Sequence, residues 1–181
     1  MKNSKVKKMR ILNASQIKAV LERFAREMTR QYGSLDQVVF IGVRTRGPYV
    51  AKRLAEIIKK RHGKEIPVGE MDITLYRDDL NALLPGGSID HTKIPFDIAN
   101  KIVVLFDDVL HTGRTVRAAV DHLIDLGRPR MIHLAVMIDR GGRELPVAAN
   151  YVGKTIKLVA AGQVHVRLKE VDRADEVVVE S

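Results

Sequence analysis

Two adjacent carboxylates, Asp107 and Asp108, stand at the exit of the apolar run Ile102 to Phe106, and Thr112-Gly113-Arg114-Thr115 follows a few residues later. A carboxylate pair can accept hydrogen bonds from neighbouring hydroxyls or hold a cation. A Thr-Gly-Arg-Thr turn at a helix start can hold a phosphate: the first backbone N–H groups are free, the helix dipole favours negative charge, and Gly113 admits a close approach. The same residues also fit a strand end that holds magnesium, or a plain helix cap. A P-loop needs G-x-x-x-x-G-K-[ST]; Gly153-Lys154-Thr155 supplies only its end, with Ala148 where the first glycine would stand. The dinucleotide fingerprint G-x-G-x-x-G is absent. None of the six histidines shows H-E-x-x-H spacing. His62, His122, His133 and His165 read as surface or strand residues, His91 falls in a long polar loop, and His111 lies inside the Thr-Gly segment. Zero Cys excludes disulfides, thiol nucleophiles and Cys-bound zinc.

The elements that must position these residues alternate along the chain. From Ser15, an N-cap residue type, Ile17, Val20, Leu21, Phe24 and Met28 recur at helical spacing until Gly33. Val38 to Val43 is a short apolar strand that ends in a turn containing Arg44 and Arg46, and Pro48 suits the first turn of a following helix. Ile66 to Leu75 reads as a second strand. Residues 77–95, rich in Asp, Gly and Pro, are too broken to pack and read as a mobile lid or binding loop. Ile102 to Phe106 is apolar enough for a strand buried on both faces, ended by Asp107 and Asp108. A helix then buries Val116, Ala119, Val120, Leu123 and Ile124 and closes at Gly127. Met131 to Ile138 is the next strand, ending at Asp139-Arg140-Gly141-Gly142. Strands alternating with helices predict an α/β fold with a mainly parallel sheet and ligands at the carboxyl ends of its strands. The tail from Val164 reads as added edge strands.

At 181 residues, 45% of them hydrophobic, the chain is read as one domain with a packed core. No run approaches the ~20 apolar residues of a membrane span, and the N-terminus lacks a secretory signal, so a cytoplasmic protein is expected. The formal charge is +9, and Lys2, Lys5, Lys7, Lys8 and Arg10 supply over half of it from a basic tail at residues 1–10. A phosphate-bearing partner fits this excess. Aromatics at 4% leave any nucleic-acid contact to Arg and Lys rather than to base stacking. Arg23, Arg26 and Arg30 share one helical stripe; they fit a solvated face as well as a binding face.

The apolar strand, Asp107-Asp108 and the Thr-Gly loop resemble the phosphoribosyl-pyrophosphate motif of type I phosphoribosyltransferases. Gly42-Val43-Arg44-Thr45-Arg46-Gly47, Asp72 to Asp79, Asp125 to Pro129, and Asp139-Arg140-Gly141 with Arg143 to Pro146 narrow the likeness. Over residues 15–155 the chain resembles the pyrimidine operon attenuation regulators that double as uracil phosphoribosyltransferases.

That resemblance implies a parallel sheet with an antiparallel hood or edge-strand addition. It implies transfer of phosphoribose from 5-phosphoribosyl 1-diphosphate to uracil, giving UMP and diphosphate, with Mg²⁺ accompanying the diphosphate. Asp107 and Asp108 would hold the ribose hydroxyls. Leu110, His111, Thr112, Gly113, Arg114 and Thr115 would cradle the 5′-phosphate. Arg44, Thr45, Arg46 and Gly47 would receive the pyrophosphate, with Arg77 reaching it from the lid, and Ile138, Asp139 and Arg140 would read the base. His111 stands where family members usually carry an aromatic residue. The resemblance also implies UMP-dependent binding of pyrimidine-operon leader RNA, with Arg23, Arg26, Arg30, Arg143 and Lys154 as candidate phosphate contacts, and a homo-oligomer. An RNA regulator that uses the nucleotide site mainly as a sensor, and a transferase for another base, are the alternatives.

Overall fold

The computed structural model describes residues 8–76, 91–157 and 162–180. Five parallel strands form the main sheet: β2 (Val38–Val43), β3 (Val68–Met71), β4 (Ile102–Leu110), β5 (Met131–Asp139) and β6 (Tyr151–Thr155), in the order β3-β2-β4-β5-β6. Helices α1 (Ala14–Tyr32) and α2 (Gly47–His62) cover one face, and α3 (Arg114–Leu126) covers the other. A second sheet, antiparallel and three-stranded, joins β1 (Lys8–Leu12), β8 (Glu176–Glu180) and β7 (Gln163–Arg167) in the order β1-β8-β7. The short helix α4 (Lys169–Asp172) links its last two strands.

Strand periodicity explains the two cores, because successive side chains leave opposite faces of a sheet. In β2 and β4, Phe40, Val104 and Phe106 pack with α1, α2 and the hood, whereas Val39, Ile41, Val103 and Leu105 pack with α3. Phe40 and Phe106 meet edge to face at 4.9 Å between ring centres. The apolar stripe of α1 is buried as its spacing predicts. The helix starts earlier than Ser15, however: Asn13 is the N-cap, its side chain accepting from Gln16 N–H while Gln16 Oε1 accepts from Asn13 N–H, both at 2.9 Å. This reciprocal pair satisfies two otherwise free donors.

Several other expectations change. Residues 8–10 are not tail but part of β1, paired with β8. The C-terminal strands do not extend the main sheet as edge strands; with β1 they form the antiparallel hood that the resemblance implies. The strand expected over Ile66 to Leu75 shrinks to Val68–Met71, followed by a 3-10 turn at Thr74–Tyr76. Asp107 and Asp108 do not end their strand, since β4 continues to Leu110 in register with β5. Ile124 is 60% exposed rather than core. His122 is buried, its ring stacked 4.3 Å from Tyr76. Residues 77–90 of the expected lid, Arg77 included, lie outside the described residues; the described remainder is pinned where Lys93 pairs with Glu70.

Candidate active site

The carboxyl ends of β2, β3 and β4 open onto one cavity of about 420 Å³, lined by Arg44, Thr45, Arg46, Asp72, Ile73, Thr74, His91, Asp107, Asp108, Val109 and Thr115. Roomier clefts of about 640 and 470 Å³ lie elsewhere, between α1, α2 and the hood and along α3. Neither contains the Asp107-Asp108 pair or a strand end of that kind.

Each wall has a local cause. Asp107 is buried at 6% exposure, and its Oδ1 accepts Asp108 N–H at 2.9 Å. Asp108 is half-buried and its Oδ1 accepts Val109 N–H at 2.9 Å. Each carboxylate therefore has one oxygen tied to the adjacent backbone, which fixes its direction. At the start of α3, Gly113 takes φ +93°, a conformation that side-chain-bearing residues rarely adopt, and no side chain caps the helix. The Arg114 N–H at the start of α3 makes a long contact of 3.4 Å to Thr112 Oγ1, so this turn gathers a threonine hydroxyl and backbone N–H groups at the positive end of the helix dipole.

Between β2 and α2 the chain turns through Arg44, Thr45 and Arg46. A side chain on Gly42 would strike the Pro48 nitrogen at 2.1 Å, and one on Gly47 would strike the Phe106 carbonyl at 2.3 Å. Glycine at both positions lets this turn lie directly over the end of β4. Arg44 and Thr45 are exposed. Arg46 is half-buried, with Nη1 4.0 Å from Asp108 Oδ2.

Asp72, Ile73, Thr74 and His91 carry no assigned role in the sequence, although Asp72 to Thr74 sits within a family-like block. The Asp72 side chain accepts from Thr74 N–H at 3.0 Å and from the Thr74 hydroxyl at 2.6 Å. Burial alone would raise the Asp72 pKa; the Thr74 hydrogen bonds and the charges of Arg44 and His91 outweigh it and leave the carboxyl below its ordinary range.

The expected base loop lies beside the Leu110 to Thr115 turn, with Arg140 N–H donating to the Leu110 carbonyl at 3.0 Å. Ile138 is fully buried, so only its backbone is available for recognition. Arg140 Nη2 donates to the Gly162 carbonyl at 3.0 Å. The His111 ring lies against Gly142, whose added Cβ would come within 2.9 Å of Nε2. Burial, helped by Arg140, lowers the His111 pKa and favours the neutral ring.

The RNA candidates separate. Arg23 Nη2 donates to the carbonyls of Val152 at 2.7 Å and Gly153 at 3.0 Å, and Arg143 donates to the His111 carbonyl and the Asp139 carboxylate. Arg26, Arg30 and Lys154 are exposed.

Among the described residues no cluster of three or more His, Cys, Asp or Glu forms a cation cage. The cavity offers hard oxygen donors, Asp72, Asp107 and Asp108. One or two of these carboxylates together with substrate phosphates suit Mg²⁺, which keeps several waters and is bound in that mixed way rather than by an all-protein cage.

A parallel sheet with a hood, a carboxylate pair at a strand end and a glycine-led helix start beside an arginine turn define a phosphoribosyltransferase. The family model described as the phosphoribosyl transferase domain matches residues 9–170. Among solved structures, a ternary substrate complex of a variant hypoxanthine phosphoribosyltransferase from Trypanosoma cruzi superposes with a TM-score of 0.76 at 17% identity, covering 97% of this chain and 96% of that one. The hypoxanthine phosphoribosyltransferase of Staphylococcus aureus gives 0.68 at 19% identity, over 94% and 90%. The bifunctional protein PyrR of Chloroflexus aurantiacus is 52% identical over 169 residues, 93% of each chain. The PyrR of Pelotomaculum thermopropionicum is 48% identical over 172 residues, 95% of each. The chain belongs to the PyrR family of phosphoribosyltransferases. Among the described residues no helix is long and apolar enough to cross a membrane.

Proposed function

We propose that this protein converts uracil and 5-phosphoribosyl 1-diphosphate to UMP and diphosphate, and that it also binds pyrimidine-operon leader RNA when UMP is present. The observation that carries the enzymatic reading is the meeting of Asp107 and Asp108 with Arg44, Arg46 and Thr115 around one cavity. Uracil as the base, and the RNA role, rest on the motif resemblance and on relatives that are called bifunctional.

Asp107 and Asp108 accept hydrogen bonds from the ribose hydroxyls and hold C1 of the sugar between base and leaving group. The turn from Leu110 to Thr115 takes the 5′-phosphate on backbone N–H groups and threonine hydroxyls. Arg44 and Arg46 supply positive charge where the diphosphate departs, and the backbone of Ile138 to Arg140 presents donors and acceptors to the uracil edge. Mg²⁺, held by the diphosphate with Asp72 or Asp108, would supply further neutralisation of the leaving group. No covalent nucleophile is required, because charge placement around an oxocarbenium-like sugar is the main catalytic effect.

The test is diphosphate release with uracil, cytosine, hypoxanthine and guanine as separate acceptors. Turnover with uracil alone supports the reading, and turnover with a purine sinks the base assignment. For RNA, Arg26, Arg30 and Lys154 are the exposed contacts, and Lys and Arg contacts to phosphate position RNA without reading its sequence. Binding of the leader at fixed salt, with and without UMP and against a scrambled RNA, decides that role. Self-association belongs to the same reading, and sedimentation velocity tests it.

A further inference from the structure

We propose that Asp172, in the hood, is a positioning residue for Arg46 and so sets the diphosphate end of the site. The inference rests on reading the cavity as a phosphoribosyl-diphosphate site. Arg46 Nε donates to Asp172 Oδ2 at 3.0 Å and Nη2 to Asp172 Oδ1 at 2.7 Å. Two parallel bonds to a rigid fork fix the guanidinium plane. The remaining Nη1 edge is then turned toward the cavity, 4.0 Å from Asp108 Oδ2.

Asp172 is itself held. Its Oδ2 accepts Leu168 N–H at 3.0 Å, its own N–H donates to the Leu168 carbonyl at 2.6 Å, and the Leu168 side chain is fully buried. The hydrogen bonds from Arg46 hold its carboxyl below the ordinary range against the opposing effect of burial. Asp172 therefore aims Nη1, and it also occupies two donors that would otherwise turn to the nearby carboxylate of Asp108. Without Asp172, Arg46 closes on Asp108 and competes with the ribose hydroxyls.

A second clamp also joins the hood to α2. Arg53 of α2 binds Glu170 at 2.8 and 2.5 Å and Asp175 at 2.7 Å, a clamp with no side chain in the cavity. The two clamps separate positioning from structure. In the full-length protein with Mg²⁺, Asp172→Asn should lower kcat/KM for phosphoribosyl diphosphate by about 10- to 100-fold and weaken diphosphate binding by calorimetry, with KM for uracil unchanged. Asp172→Glu should recover part of the loss. Glu170→Gln should lower the melting temperature and leave both kinetic constants unchanged. Combined with Arg46→Gln, Asp172→Asn should add no further loss.

Wild-type kcat/KM and diphosphate affinity in folded Asp172→Asn and Asp172→Glu would overturn the proposal, as would independent, multiplying losses in the double variant. Failure of the wild-type protein to bind either phosphoribosyl diphosphate or diphosphate would overturn the site reading and this proposal together. Wild-type binding with unaltered Asp172 variants would overturn the proposal alone.

Discussion

Arg143 pairs with Asp139 at 2.5 Å across the junction of two loops, while its other nitrogens donate to the His111 carbonyl at 2.8 Å and the Val147 carbonyl at 3.0 Å. One guanidinium thus binds the Leu110 to Thr115 turn, the end of β5 and the segment leading to β6. Arg143→Ala leaves a half-buried carboxylate and two carbonyls without this donor. A loss of about 2 kcal/mol in urea unfolding is expected, together with a raised KM for uracil. Arg143→Lys should recover little, since an ammonium cannot reproduce the fork.

The same pair predicts behaviour in acid. Burial alone would raise the Asp139 pKa, but the hydrogen bonds from Arg143 and Gly141 N–H outweigh it and depress the carboxyl. A depressed carboxylate contributes stability that is present above its unfolded pKa of about 3.9 and is lost as pH falls through the folded value. Urea midpoints measured from neutral pH down to about 3 should therefore fall less steeply in Arg143→Ala than in the wild type; parallel curves would refute the linkage.

Asp107→Asn with Asp108→Asn should reduce kcat/KM by at least about 100-fold, the scale of losing a preorganised polar contact at the reacting centre. Each asparagine retains an oxygen to accept the backbone N–H that its carboxylate accepts now. Circular dichroism should be unchanged while diphosphate release is lost. Wild-type release would remove the ribose assignment.

Away from the cavity, His133 Nδ1 of β5 lies 2.5 Å from the Tyr32 hydroxyl, which lies 2.9 Å from the Tyr151 hydroxyl. Burial lowers the His133 pKa and raises that of Tyr32. A depressed histidine stabilises the fold above its unfolded pKa of about 6.5, and that stability is lost as pH falls through the folded value. His133→Gln keeps an acceptor for Tyr32 without titrating. Its melting temperature should drop less between pH 8 and about 5 than the wild-type value does.

Gly47→Ala places a methyl group 2.3 Å from the Phe106 carbonyl, where only backbone movement can relieve it. The expected cost is about 2 kcal/mol or more in urea unfolding. Phosphoribosyl-diphosphate affinity should also fall, because the turn that carries Arg44 and Arg46 must lift away from β4. Unchanged stability would show that the turn relaxes freely.

Elements with a local signal can be read from the chain directly. The stripe from Ile17 to Met28, the apolar run before Asp107 and the glycine of Thr112-Gly113-Arg114-Thr115 each state a period or a backbone need within a few residues, so α1, the central strand and the turn that opens α3 are legible. The start of α1 is not, because Asn13 and Ser15 are both capping types, and the reciprocal bond to Gln16 distinguishes them. Whatever depends on residues distant in the chain is set by packing. Lys8–Leu12 becomes a strand only because β8 pairs with it, and Asp72 and His91 reach the cavity only because β3 lies beside β2. Asp172 meets Arg46 across a separation of 126 residues. No periodicity reports such a contact, since two charges far apart in a chain become partners only when packing of the hood brings them together.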